Sequence, residues 1–252
     1  MKKQMNKFVS LTLAIAMLLS LTVMPQISAN ETEATEEILV WSDFEYDKGG
    51  FMGQYDNGAA TGGVDRVYTD AAHGNSYRIY ARAVSETSKR TQQRAFLNLP
   101  EAVSTGKLLI SYEIMSDDVR LKSYISAGPE SRDEVLTTDN YKMTTYGQDA
   151  KNISYITNHD YKYGNTYEVI ENNKWYQVDM VIDFDSKDRP VTYYVNGEVL
   201  GEAPLHPGST KTDGTEVPML GAIGHLTFAM WSINGTDGGS LKQNSLYIDN
   251  LK

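Results

Sequence analysis

Residues 175–200, WYQVDMVIDFDSKDRPVTYYVNGEVL, decide the fold class. From Trp175 to Phe184 apolar and polar side chains alternate one by one, the period of a strand with one buried face. Asp185-Ser186-Lys187-Asp188 is rich in turn formers, and Val191–Val195 is again β-branched and aromatic. Asn196-Gly197 follows, and Glu198–Leu200 returns. An Asn-Gly pair supplies the two positive φ angles that a type I′ hairpin turn requires. Three strands and two turns in so short a stretch describe an antiparallel sheet.

Working outward, the same pattern recurs. Ser76–Val84 (SYRIYARAV) alternates Tyr77, Ile79, Ala81 and Ala83 with polar neighbours, and Lys107–Met115 (KLLISYEIM) reads as a strongly apolar strand. Leu226–Trp231 and Ser245–Leu251 complete the set. Helical periodicity is scarce, and Pro100–Thr105 is the one place where a short helical turn is expected. Many strands separated by turns, with no βαβ rhythm, predict an all-β protein: a two-sheet antiparallel β-sandwich, or jelly roll, over residues 38–252.

Two segments precede that domain. Lys2, Lys3 and Lys7 open the chain, Phe8–Val23 is an apolar run broken by Ser10, Thr12, Ser20 and Thr22, and Pro25 and Ile27-Ser28-Ala29 follow. This order of charge, apolar run and small-residue site predicts a signal peptide over 1–29 and a secreted, extracellular or cell-surface protein, with no membrane span once it is removed. Residues 30–37, with Glu31-Thr32-Glu33-Ala34-Thr35-Glu36-Glu37, read as an acidic flexible tether. The leader holds three lysines and no acid, so the formal charge of −10 falls to −13 on its removal. Such a surface repels phosphate backbones, and no nucleic-acid partner is expected. The chain has no cysteine, which excludes thiol catalysis and thiolate metal sites. A domain of this length buries enough core to stand without disulfides, and a monomer is expected.

The pair Trp175-Tyr176-Gln177-Val178 and Val191–Glu198 resembles the concanavalin A-like lectin/glucanase superfamily, whose laminin G-like domains share a "W-y-x-v … y-v-N/D-G" pair of strands. The opening Asp43-Phe44-Glu45 and the closing Tyr247-Ile248-Asp249-Asn250 are similar to the ends of bacterial carbohydrate-binding jelly rolls. The resemblance implies a Trp175 packed inside the sandwich and a non-catalytic glycan-binding role. It also implies a structural calcium ion held between Glu45 and Asp249, with backbone carbonyl ligands from the loop Asp70–Ser76, which carries Asp70, His73 and Ser76. Calcium takes six to eight oxygens, so one ion can clip the two chain ends together. The alternative leaves Glu45 and Asp249 as ordinary solvent-facing acids.

Sugar rings present apolar C–H faces, so binding sites pair aromatic platforms with hydrogen-bonding groups. Seventeen tyrosines are present, and Tyr141, Tyr146, Tyr155, Tyr161 and Tyr163 fall in one polar stretch with His159. Together with Trp231, which precedes the Asn234–Gly239 loop, these are the candidate ligand-binding residues, for an extracellular polysaccharide or oligosaccharide. The alternative is that the tyrosines cover the core.

Catalytic motifs are missing. Glucanases of the superfamily carry E-x-D-x-x-E along one strand, and no such string occurs; Asp179 and Asp183 read as solvent-facing alternates. Polysaccharide lyases of similar fold use Tyr and His near an Arg or Gln that neutralises the uronate, but their strand motifs are absent too. The rivals to a binding module are therefore a lyase or hydrolase of concanavalin A-like fold, and a structural or adhesion spacer. Acids or a His/Tyr/Arg cluster at a sheet centre would favour an enzyme, aromatic platforms a binder, and a featureless polar face a spacer.

Overall fold

The alternation in Trp175–Phe184 builds a strand, β10 (Tyr176–Asp183), that buries Tyr176, Val178, Met180 and Ile182 and turns Gln177, Asp179 and Asp183 toward solvent. It pairs antiparallel with β11 (Pro190–Val195), and β11 with β12 (Glu198–Pro204). Asn196 and Gly197 take φ of 52° and 80°, the two positive angles expected of the turn. The Asn196 Oδ1 accepts the Gln177 N–H at 3.1 Å, which ties the turn to β10. The computed structural model describes residues 37–47, 52–56, 60–83, 92–119, 123–130, 141–148, 154–158, 167–205, 209–210, 214, 216–217, 219–231, 236–237, 240–241 and 243–252.

On its other side β10 pairs with β5 (Lys107–Ser116), β5 with β18 (Gln243–Asp249), β18 with β3 (Gly74–Ala83) and β3 with β2 (Ala60–Asp70). This seven-stranded sheet has the order β12-β11-β10-β5-β18-β3-β2. The second sheet, also of seven strands, joins β1 (Met52–Asp56), β4 (Gln92–Val103), β15 (Ile223–Trp231), β6 (Ser123–Gly128), β7 (Tyr141–Gln148), β8 (Ser154–Asn158) and β9 (Tyr167–Val169), in that order. Two short ribbons stand apart: β13 (Ser209–Thr210) with β14 (Glu216–Val217), and β16 (Thr236–Asp237) with β17 (Ser240–Leu241). Every pairing is antiparallel, and among the described residues every regular element is a strand. The fold is the expected jelly-roll sandwich.

One local expectation fails. Pro100–Val103 continues β4 rather than forming a helical turn. Here the ladder jumps from Asn98↔His225 to Val103↔Ile223, so Leu99–Ala102 bulge out of register. A proline without an N–H is tolerated in a strand at such a bulge.

The core lies between the sheets. Tyr112 of β5 meets Phe228 of β15 edge to face, with centroids 5.6 Å apart. The Tyr193 hydroxyl reaches across to the Met143 carbonyl at 3.2 Å, and Thr144 Oγ1 to Met180 Sδ at 3.2 Å. The chain ends meet, as a jelly roll requires: Ser42 and Leu251 exchange two backbone hydrogen bonds of 2.9 Å. Residues from Ile38 to Lys252 form one compact unit. The leader, and the tether but for Glu37, lie outside the described residues.

Candidate functional site

Two places concentrate polar chemistry: the edge where the chain ends meet, and the outward face of the second sheet.

At the chain ends, Glu45 lies in the bend after the Ser42 bridge and not on a strand. Its carboxylate accepts from both the Asn75 backbone N–H (2.8 Å) and the Asn75 side-chain amide (3.1 Å). It rests against Gly74, whose φ of 57° and lack of Cβ let it approach. Asp249 closes β18 and pairs in register with Glu113. It is buried, at 1% exposure, and its Oδ1 accepts the Asn250 N–H at 2.8 Å. Burial pushes its carboxyl up to about 6; the Asn250 hydrogen bond and His73 oppose this, while the charges of Glu113 and Glu45 add to it.

The loop residues named for calcium are otherwise engaged. Asp70 accepts from the Ala72 N–H (2.8 Å), the His73 N–H (2.9 Å), the His73 ring (3.0 Å) and the Trp175 indole (3.1 Å). The His73 hydrogen bond is the main reason its carboxyl is held at about 2. His73 Nδ1 faces Asp70 and its Nε2 faces Glu113 at 3.5 Å, so both ring nitrogens point at carboxylates. The Ser76 hydroxyl is buried and shares a 2.9 Å hydrogen bond with Thr69. Among the described residues no three His, Asp or Glu side chains are grouped to hold a metal. The side chains of Asp70, His73 and Ser76 each serve the loop, and Glu45 and Asp249 are the two acids of the set that stand at the joined ends.

Trp175 corrects a second expectation. It packs on the His73 ring, with centroids 4.3 Å apart and planes 18° from parallel, and is half-buried at this edge. Its neighbour Tyr176, fully buried, takes the core position. Alternation decides this, since a strand that buries 176, 178, 180 and 182 cannot bury 175 on the same side.

The second sheet holds the sugar-binding candidates. Tyr146 is corrected: it is 1% exposed and belongs to the core, because β7 turns Thr144 and Tyr146 toward the other sheet. Tyr141 pairs with Ala127, Tyr155 with Gly147 and Val169, and Trp231 with Gln92, all on this sheet. His159, Tyr161 and Tyr163 lie outside the described residues.

The outward face of its central strands carries a set that sequence reasoning missed. Ala95, Leu97 and Leu99 of β4, Leu226, Phe228 and Met230 of β15, and Ile125 and Ala127 of β6 line the core. Their alternates face away from it in three rows: Arg94–Ala229–Tyr124, Phe96–Thr227–Ser126 and Asn98–His225–Gly128. Arg94, Tyr124, Ser126, Thr227 and His225 are all buried, none more than 4% exposed. Arg94 Nη2 donates to the Tyr124 hydroxyl at 3.1 Å. His225 Nδ1 contacts the Glu130 carbonyl, and since a carbonyl only accepts, that nitrogen carries the proton. The ring lies over Gly128, where a Cβ would come within 2.0 Å of its Cε1. The Ser126 and Thr227 hydroxyls, neighbours in the middle row, have no hydrogen-bond partner. Among the described residues these rows contain no carboxylate.

No protein-family model and no curated protein matches the chain. Solved structures similar to it include the family 11 carbohydrate-binding module from Clostridium thermocellum in complex with a β-1,3-1,4-mixed-linked tetrasaccharide. That module is 14% identical over 84% of this chain and 92% of that one, at a TM-score of 0.39. The catalytic domain of a GH131 β-glucanase from Podospora anserina is 12% identical over 74% and 78%, at 0.40. A sialidase is 13% identical over 77% of this chain, at 0.43, and this chain spans 16% of its length. Binding modules and catalytic domains both occur among these structures.

Proposed function

We propose that the chain is a secreted, monomeric glycan-binding domain that holds an extracellular polysaccharide or oligosaccharide without cleaving it. The observation that carries this reading is the outward face of β4, β15 and β6. Two neighbouring hydroxyls without partners, a guanidinium, a phenol and an imidazole stand there in register, buried on the side away from the core. Buried polar groups left unmatched point to a ligand or to ordered water rather than to packing. Tyr155 and Trp231 occupy the same sheet and are the proposed aromatic contacts, with His159, Tyr161 and Tyr163 of the neighbouring sequence, whereas Tyr141 shares the register position of the core-lining Ala127. The test is a glycan array of the mature domain, with and without calcium; binding to no glycan in either buffer overturns the reading.

The second reading, a polysaccharide lyase, is favoured by the presence of Arg94, Tyr124 and His225 on neighbouring strands. Against it, Tyr124 and His225 stand two rows apart, about 13 Å along the strands, too far for an acid and a base to serve one sugar carbon. A hydrolase needs paired carboxylates, and the described rows offer none. Release of unsaturated uronate ends that disappears in His225→Ala or Tyr124→Phe would establish the lyase.

Calcium belongs to the proposal at Glu45 and Asp249, with backbone carbonyls of the Asp70–Ser76 loop. A cation beside Asp249 would relieve the opposition that burial and two neighbouring acids raise against its charge. An ion bound by the folded state alone raises stability by ~2.7 kcal/mol at a hundred times its dissociation constant. A parent protein that melts at the same temperature in EDTA and in millimolar calcium would rule this out, and Asp249→Ala should remove any calcium-dependent gain.

A further inference from the structure

On the first sheet one outward row runs from the edge strand β12 to the joined chain ends. Asp179 of β10 pairs with Ser111 of β5 on one side and with Tyr194 of β11 on the other, and Tyr194 pairs with Val199 of β12. Ser111 and Lys252 exchange two backbone hydrogen bonds of 2.8 Å, and the Ser42–Leu251 bridge sets Trp41 beside Lys252. The row therefore reads Val199–Tyr194–Asp179–Ser111–Lys252–Trp41. Its members alternate with the core residues Tyr193, Met180 and Ile110, and so face away from the core. Val40 packs against the core and Ser42 is buried, which turns Trp41 outward as well. Trp41 is 62% exposed and Val199 64%, so both ends of the row are open to water.

Between the two rings the polar groups are held in place. Gln177, two residues before Asp179 on the same face, donates from Nε2 to Ser111 Oγ at 2.7 Å and to Asp179 Oδ1 at 2.8 Å. A carboxylate at the row only accepts, so these contacts fix which way the amide points and use both of its protons. Gln177 Oε1 and Asp179 Oδ2 remain as acceptors, and the Ser111 hydroxyl, having accepted, has its own proton to give. Sugar hydroxyls answer both kinds of group, and the apolar faces of sugar rings suit an exposed tryptophan and tyrosine. The charge selects further. Asp179 lies in the row and the exposed Glu198 and Glu202 lie beside it, which repels an anionic glycan. A second copy of a chain with ten more acids than bases is opposed for the same reason.

Tyr194 and Trp41 stand four strand spacings apart, about 19 Å, farther than a disaccharide reaches. Neighbouring strands turn by roughly 20–25°, so the row winds as it crosses the sheet, a path for one soluble chain rather than a flat crystalline surface. We propose that this row is a second glycan site, which binds a single neutral polysaccharide chain running across the strands. Tyr194 and Trp41 stack on sugar rings toward its two ends, and Gln177, Asp179 and Ser111 bond the hydroxyls between them. The site does not depend on the rows of the second sheet.

Soluble mixed-linked β-glucan, galactomannan and xyloglucan are titrated into the mature domain by calorimetry, followed by a hexasaccharide and a disaccharide of whichever polymer binds. At least one polymer is expected to bind, and Trp41→Ala and Tyr194→Ala should each weaken it about threefold or more, the share of one aromatic contact. Both variants should melt within about 2 °C of the parent, as surface substitutions do. The disaccharide, which meets one ring at most, should bind about threefold or more weaker than the hexasaccharide. A folded double variant that binds as tightly as the parent overturns the row and leaves glycan binding to the second sheet, where Thr227→Val should then weaken it. Binding to crystalline cellulose alone overturns the single-chain assignment. Self-association by light scattering that the double variant loses, with no polymer bound, gives the face to a second copy instead. Binding of none of the polymers overturns the row, and a blank glycan array besides overturns the glycan-binding reading as well.

Discussion

Gly74→Ala is the most exacting test of how the chain ends are held. Gly74 has a φ of 57°, and a Cβ built there would stand 1.8 Å from Glu45 Oε1 and 2.7 Å from its Cδ. Both lie far inside the ~3.5–4.0 Å of a favourable carbon contact, so the carboxylate has to leave. A left-handed conformation costs an L-residue about 1–2 kcal/mol by itself. Displacing Glu45 also breaks its hydrogen bonds from the Asn75 N–H at 2.8 Å and the Asn75 amide at 3.1 Å. Hydrogen bonds to charged groups are worth ~1.5–3 kcal/mol, and at this part-exposed site we count the pair as one. The expected loss is about 3–5 kcal/mol, or roughly 6–20 °C in melting temperature for a domain of this size. Denaturant titrations of Gly74→Ala, Glu45→Ala and the double variant separate the two parts. In the Glu45→Ala background the glycine substitution should cost only its backbone share, about 1–2 kcal/mol, leaving a coupling of ~1.5–3 kcal/mol. Additivity within ~0.5 kcal/mol, or a loss below ~1 kcal/mol for Gly74→Ala alone, would refute the contact between Glu45 and this turn.

Further outcomes are expected elsewhere. With divalent cations chelated, stability should rise as pH falls from 7 through about 6 toward 4: folded Asp249 takes up its proton near 6, whereas the unfolded carboxyl waits until about 4. The gain is at most about 3 kcal/mol, and Asp70, held at about 2, keeps its own contribution across this window. Asp249→Asn should flatten the profile, and equal slopes for parent and variant would count against a buried, unfavourably charged carboxyl. Gly197→Ala meets nothing within 4 Å, so it should cost only the positive φ, about 1–2 kcal/mol, and a larger loss would indicate contacts the turn does not show. Gly128→Ala should drive His225 from its place and lower glycan affinity at least as strongly as His225→Ala; unchanged affinity would place His225 outside the site. Secreted protein should begin near Asn30 or Glu31 by N-terminal sequencing, and full-length protein in the membrane fraction would contradict the leader.

Residues 175–200 carried the architecture because strand alternation and hairpin turns are local properties. The period-two pattern reappears as alternating burial along β10 and β11, and Asn196-Gly197 takes the angles its composition demands. The meeting of the chain ends was expected only from what the resemblance of Asp43-Phe44-Glu45 and Tyr247-Ile248-Asp249-Asn250 implied. The facing of Trp175 was legible in the same pattern: the alternation that buries Val178, Met180 and Ile182 puts Tyr176 in the core and Trp175 at the edge, against what the resemblance implied. Packing against the opposite sheet took Tyr146 out of the candidate surface.

The candidate site was the least legible part. Arg94, Tyr124, Ser126, Thr227 and His225 lie on three strands scattered over more than 130 residues of sequence, and none belongs to a recognisable motif. A signal was present: polar residues interrupt strands whose other members are apolar, as in Leu226–Trp231 with its Thr227. That pattern equally describes a solvated outer face. Sequence by itself determined that the chain is built of antiparallel strands, because alternation and turn chemistry act between neighbours. Tertiary structure alone decided that β4, β15 and β6 lie side by side, since strand order is set by packing between distant segments. It alone placed their polar alternates in shared rows and buried them there, where water no longer satisfies a hydroxyl.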